Sequence, residues 1–152
     1  MKVIGRVDIA DFVEFELEDI KLKVDTGAYT SSIHTHDVKV VESNGEEYLE
    51  FKLLDPSHPL YQDRVFRTKN FKQKRVKSSF GNVEHRYVIN TKITLFGKVY
   101  SIQLSLSERG NMKYPILMGR RFLNKKFLVD TSLKNVSHNL KLSGQSNTIK
   151  QS

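Results

Sequence analysis

Short runs of alternating apolar and polar residues, each ended by a turn signal, constrain this 152-residue chain more than any other feature. Ile20, Leu22 and Val24 fall on one face of an extended segment, and Lys21 and Lys23 on the other. Ile102, Leu104 and Leu106 likewise share a face opposite Ser101, Gln103 and Ser105. Such runs recur about every 8–15 residues. Between them stand the hairpin signals Ser43-Asn44-Gly45, Phe80-Gly81-Asn82 and Gly97-Lys98. Asp55-Pro56-Ser57-His58-Pro59 interrupts the sheet, because proline removes ladder donors. No segment carries a long helical period. The pattern predicts an all-β domain, a sandwich or closed barrel, with one short helix after Gly119. Residues 1–140 read as the domain, and 141–152 as a polar, disordered tail.

A chain of this length can bury a core without staples. It has no cysteine, so disulfides, thiolate metal sites and cysteine catalysis are excluded. The first residues place acids where a signal peptide needs an apolar core, and no stretch reaches the roughly 20 apolar residues of a membrane helix. The expectation is a cytoplasmic protein with no membrane partner. The formal net charge is +8, from 25 basic and 17 acidic residues. It is uneven: Asp11, Glu14, Glu16, Glu18 and Asp19 crowd one segment, and residues 64–77 hold seven cations. A field of that kind attracts acidic partners. It equally describes a solvated basic face.

Asp25-Thr26-Gly27 closes the alternating strand that ends at Val24. Such a triplet is often a plain turn, its carboxylate capping backbone amides. Its context points further. Ala28 and Thr30-Ser31-Ser32 follow, and far along the chain comes Ile116-Leu117-Met118-Gly119-Arg120.

Six blocks in order carry a family resemblance. They are Lys21–Ala28, Thr30–His34, Arg75–Gly81, Val83–Arg86, Pro115–Arg121 and Phe127–Asp130. The chain resembles the retropepsin-like aspartic endopeptidases of the RimB-like type, a family also labelled ATP-dependent zinc proteases. Some members are linked to glutamylation of a ribosomal protein. Thr131 departs from the pattern, in which proline follows that last aspartate. The resemblance implies a pepsin-type barrel half in which Asp25 is the catalytic carboxylate. Thr26 would brace the catalytic loop, and Gly27 would admit close backbone approach. Ala28, Gly119 and Arg120 would support that loop. The hairpin between Arg75 and Arg86, with Ser78, Ser79 and Gly81 at its tip, would be the flap. His34, Arg75 and Arg86 would meet substrate.

Aspartic catalysis needs two carboxylates sharing one proton. Asp25 belongs to the only Asp-Thr-Gly of the chain, and Asp130 is followed by Thr131 and Ser132, without the glycine. A two-fold homodimer would bring two copies of Asp25 together. No His-Glu-x-x-His motif and no phosphate-binding glycine loop with a lysine is present. The expectation is therefore no metal and no cofactor. The partners expected are a second copy of the chain and an acidic peptide. Two other readings stand beside the peptidase. One is RNA binding by the basic, aromatic-flanked stretch, which lacks any RRM, KH or zinc-finger signature. The other is a non-catalytic domain of the same fold that recognises acidic peptide or a ribosomal surface.

Overall fold

Each alternating run forms a strand with one buried face. A computed structural model of the chain describes residues 1–77, 81–108 and 113–151, with backbone alone for 76–77 and 145–151. In chain order the elements are β1 (Lys2–Ile4), β2 (Val7–Phe12), a 3-10 turn (Val13–Phe15), β3 (Leu17–Val24), β4 (Ser31–Ser43), β5 (Glu46–Leu53) and β6 (Phe66–Thr68). There follow β7 (Phe71–Lys77), β8 (Val83–Leu95), β9 (Lys98–Ser107), β10 (Ile116–Met118), α1 (Arg120–Leu123), β11 (Phe127–Val129) and α2 (Val136–Gln151).

Six strands make a nearly closed ring in the order β10, β3, β2, β8, β9, β4. β10 closes it, running parallel to β3 and antiparallel to β4. The β2–β8 seam is a single residue pair, Asp11 with Thr94, so the ring falls short of a complete barrel. β5 and β6 continue outward from β4. β7 pairs with β8 from Phe71–Ile89 to Lys77–Val83, whereas β8 pairs with β9 only from Val88 onward. Residues 83–87 therefore reach past the ring as a two-stranded arm with β7.

Inside the ring, Ile20, Leu22, Ile33, Leu104, Ile116 and Met118 are buried. At one end Phe15 packs within 5.2 Å of Phe66 and 6.1 Å of both Phe12 and Phe51. At the other, Phe122 of α1 sits 5.8 Å from Tyr100 and 5.9 Å from Phe127. Each such ring contributes about 1.5–3 kcal/mol by leaving water. The second cluster pins α1, and with it residues 119–121.

Two hairpins turn as type I′ corners, with positive φ at Asn44 and Gly45 (54° and 78°) and at Phe96 and Gly97 (53° and 67°). The second corner lies one residue earlier than Gly97-Lys98, because Lys98 already pairs with Leu95. Phe96 tolerates the left-handed region while its ring packs 5.7 Å from Phe127.

The C-terminal segment, expected as a disordered tail from residue 141, has helical backbone over Val136–Gln151. Its sequence lacks an apolar stripe, and the cause lies elsewhere. Buried Asp8 accepts from the amides of Ser137 (3.0 Å) and His138 (3.1 Å), and from its neighbour Ile9 (2.8 Å). A carboxylate at a helix start satisfies donors that the helix cannot. Asp8→Ala would strand these buried amides and should lower stability by about 1–3 kcal/mol in urea denaturation. Asp8→Asn, which keeps an acceptor oxygen, should lose clearly less. Equal loss from both would assign the effect to charge instead of capping.

Candidate active site

The Asp25 loop is held from beneath by the segment that follows β10. The Asp25 amide donates to Met118 O at 2.9 Å. The amides of Arg120 and Arg121 donate to Ala28 O and Tyr29 O, both at 2.9 Å. Gly119 N–H reaches the buried Ser31 Oγ at 3.0 Å, and Arg120 Nη1 donates to Thr26 O at 2.9 Å. The guanidinium of Arg120 also lies 5.8 Å from the Tyr29 ring centre. A Cβ on Gly119 would come within 2.6 Å of Thr30 O, so only glycine allows this approach. Ala28, Gly119 and Arg120 thus converge on the loop. Ser31 joins them, a residue that the sequence flagged only as part of a hydroxyl run. Its place on the inward face of β4, opposite the glycine, was the available signal.

Asp25 is half-buried at the lip of the ring, and its Oδ1 accepts from Gly27 N–H at 3.1 Å. Thr26 and Gly27 are exposed, and Tyr29 is 54% exposed. A Cβ on Gly27 would meet only Asp25 Oδ1, at 3.4 Å. Nothing else among the described residues demands glycine there. The loop therefore presents one oriented carboxylate on an open rim.

Two cavities flank the arm. The one nearer its tip is lined by Ala28, Thr30 and Leu117 below and by Glu84, His85, Arg86 and Tyr87 of β8. The one nearer its root is lined by Lys74, Arg86, Arg121 and Lys126, with Thr30, Ser31 and Ser105 among its other walls. Arg86, Thr30 and Ser105 belong to both. Asp25 itself lines neither. Gly81 lies in a bend two residues before β8, with φ 83°, while Ser78 and Ser79 lie outside the described residues.

Arg86 lines both cavities. Arg75 pairs with His85 in the hairpin and lines neither cavity. His34 is buried at 7% exposure, away from both cavities. Its Nε2 lies 3.5 Å from Asp55 Oδ2, at the limit of hydrogen-bond length, and neither ring nitrogen makes a well-formed hydrogen bond among the described residues. The basic stretch is also partly neutralised. Arg67 makes two hydrogen bonds to Glu50 (3.0 and 2.6 Å), Lys69 pairs with Glu46, and Arg64 lies 3.1 Å from Glu16.

Asp130 is occupied as a turn residue. Its Oδ1 accepts from the hydroxyl and amide of Ser132 (2.6 and 2.9 Å), which hold its carboxyl below the ordinary aspartate range. Zinc finds no donor set. Among the described residues no three His, Cys, Asp or Glu side chains gather around a common point, whereas a catalytic zinc takes about three protein ligands. Burial holds His58 below the usual histidine range, and its Nδ1 accepts from Leu60 N–H at 3.0 Å, which places the proton on Nε2.

A family model described as retropepsin-like aspartic endopeptidase RimB matches residues 3–139. A Desulfotalea psychrophila protein named probable alpha-L-glutamate ligase is 36% identical over 137 residues, 88% of this chain and 29% of its own length. One of the same name from Shewanella halifaxensis is 35% identical over 134 residues, 86% of this chain and 28% of its own. The chain thus spans less than a third of the curated relatives it matches. The crystal structure of a Legionella pneumophila protein of unknown function superposes with a TM-score of 0.66 at 26% identity, covering 90% of this chain and 98% of that one.

Proposed function

The chain belongs to the RimB-like family of retropepsin-like aspartic endopeptidases, and from that premise we propose that it hydrolyses peptide bonds in acidic, glutamate-rich segments through a pair of Asp25 carboxylates across a homodimer. The clamped loop carries this reading. It presents a single carboxylate, with Oδ1 oriented by Gly27 N–H, on an exposed rim. One such group cannot be acid and base at once, and Asp130 is committed to its turn. A second copy meeting the first at the rim supplies the missing partner, since a residue on a two-fold axis meets itself. Exposed Gly27, with no steric cause among the described residues, suits a place where another backbone approaches.

In that pair one carboxyl holds the shared proton, because like charges so close do not both ionise. The ionised partner takes a proton from water, and the water oxygen attacks the peptide carbonyl carbon. The protonated partner gives its proton to the carbonyl oxygen, forming a gem-diol. A proton then moves to the nitrogen, the C–N bond breaks, and a carboxylic acid and an amine leave. The acidic substrate class rests on the cationic cavity beside the loop. The relatives' name supports it, for a glutamate ligase builds products rich in carboxylates.

The test is concentration dependence. Specific activity on oligoglutamate-containing peptides should rise with protein concentration until dimer dominates by sedimentation velocity, because catalysis follows association. Activity that survives dilution to monomer would remove the shared site. A second reading is favoured by one observation: the matched region makes up less than a third of proteins named ligases. It is a domain that holds acidic peptide without cutting it. Binding without hydrolysis at every concentration would select it.

A further inference from the structure

We propose that the cavity at the root of the arm is a subsite for a pair of carboxylates on one ligand. The inference rests on the acidic-substrate reading but not on hydrolysis. The cavity has a volume of about 310 Å³, at the small end of ligand sites. Lys74, Arg86, Arg121 and Lys126 reach it from β7, β8 and the segment after β10, and no carboxylate is among its lining residues. Its remaining walls combine hydroxyl and amide groups (Thr30, Ser101, Asn90) with apolar Val88 and Ile102, which suits a carboxylate on a short methylene stem.

Among the described residues, Arg86 is the one cation of the four with an acidic partner within 4 Å. Lys74 lies directly opposite Arg86 in the β7–β8 register. Facing like charges destabilise a hairpin, and an anion between them reverses the sign. Arg86 has one acid nearby, Glu84, at 3.7 Å on the exposed side. Arg121 Nη1 donates to Gln103 Oε1 at 2.7 Å, and Lys126 Nζ to Phe122 O at 3.1 Å. These neutral acceptors orient the cations without cancelling them. Arg64, Arg67 and Lys69, by contrast, already have acidic partners. Lys74 of the basic stretch thus joins Arg86, Arg121 and Lys126 in this cavity.

Two guanidiniums and two ammoniums exceed the need of one carboxylate, which a single bidentate arginine already engages. Two neighbouring acidic side chains meet the requirement. So does one acidic residue with a free C-terminus. A nucleic acid needs exposed rings for stacking, and the aromatic residue in these walls, Phe122, is 4% exposed. Arg121 is tied by its amide to Tyr29 O, and Thr30 and Arg86 also line the cavity beside Ala28. A ligand anchored here would therefore lead its chain toward the catalytic loop.

Fluorescence anisotropy on Asp25→Asn protein separates binding from cleavage. The probes are labelled tetraglutamate with a free C-terminus, its amide, tetraglutamine and oligouridylate. The double variant Lys74→Ala/Arg121→Gln should weaken tetraglutamate binding at least about tenfold. Lys69→Ala, which removes an already paired cation, should change it less than about twofold. Retained affinity for the amide assigns the pair to adjacent side chains; its loss assigns it to an acidic C-terminal residue. Matching circular dichroism and melting of all variants guard against unfolding. Unchanged binding in the double variant, equal weakening by Lys69→Ala, or tighter oligouridylate binding would overturn the subsite. A wild-type protein that binds through these residues yet cleaves nothing would sink the peptidase reading alone.

Discussion

Asp25→Asn should abolish peptide hydrolysis, by at least about 10³-fold, while leaving fold and self-association intact. The substitution is nearly isosteric. Asn Oδ1 can still accept from Gly27 N–H, and the backbone bonds of the loop to Met118, Arg120 and Arg121 involve no side chain of residue 25. What disappears is the exchangeable carboxyl proton. A further consequence is specific to a shared site. In an equal mixture of wild-type and variant chains, random pairing leaves about one quarter of dimers with two carboxyls. Activity should therefore fall toward a quarter of the all-wild-type value, below the half expected of independent monomers. Sedimentation of both proteins beside a peptide assay reads both effects. Full activity in the variant would end the aspartic mechanism, and a drop to one half would end the dimer.

The parts of the site that were legible in the sequence are those set by short-range pattern. Ile20, Leu22 and Val24 announce a strand with one wet face, and the triplet at its end announces the loop. Gly119 and Arg120 were legible through a family motif, yet their reason is spatial: β10 inserts between β3 and β4 and brings residue 119 against residues 29 and 30. What was hidden depends on pairings distant in sequence. Arg67 and Lys69 looked like free cations, but β5 lies beside β6 in a register that sets Glu50 against Arg67. Lys74 and Arg86 face each other only because the hairpin pairs in that particular register, where a slip of one residue would change the face. The helical C-terminus was hidden for the same reason, since its first amides are met by Asp8, about 130 residues away. His34, which the family resemblance implies as a substrate contact, is buried in β4 with its Nε2 3.5 Å from Asp55 Oδ2, a placement set by the fold and not by local pattern.

Gly119→Ala should damage both stability and activity, and it distinguishes a packed support from a reactive loop. Gly119 has φ −94° and ψ 176°, extended backbone open to any residue, so conformational preference is no obstacle. Contact is the obstacle. The new methyl would lie 2.6 Å from Thr30 O and 2.7 Å from Tyr29 O, both backbone atoms that no side-chain rotation can move aside. Relief requires the 29–30 segment and residue 119 to separate. That motion strains the bonds from Gly119 N to Ser31 Oγ, Arg120 N to Ala28 O, and Arg121 N to Tyr29 O. Overpacking of this kind costs about 1–3 kcal/mol, occasionally more. A displacement of about 1 Å at the loop is enough for roughly a 10²-fold loss in rate. Gly27→Ala provides the contrast. Its Cβ would touch only Asp25 Oδ1, at 3.4 Å, so stability should stay within about 0.5 kcal/mol of wild type. Activity should still fall, because the methyl stands on the exposed rim where substrate or a second chain must come close. Urea denaturation of the two variants beside the peptide assay makes the comparison. Wild-type stability in Gly119→Ala would mean that the clamp from residues 119–121 does not hold the loop, and the geometric basis assigned to Asp25 would have to be sought elsewhere.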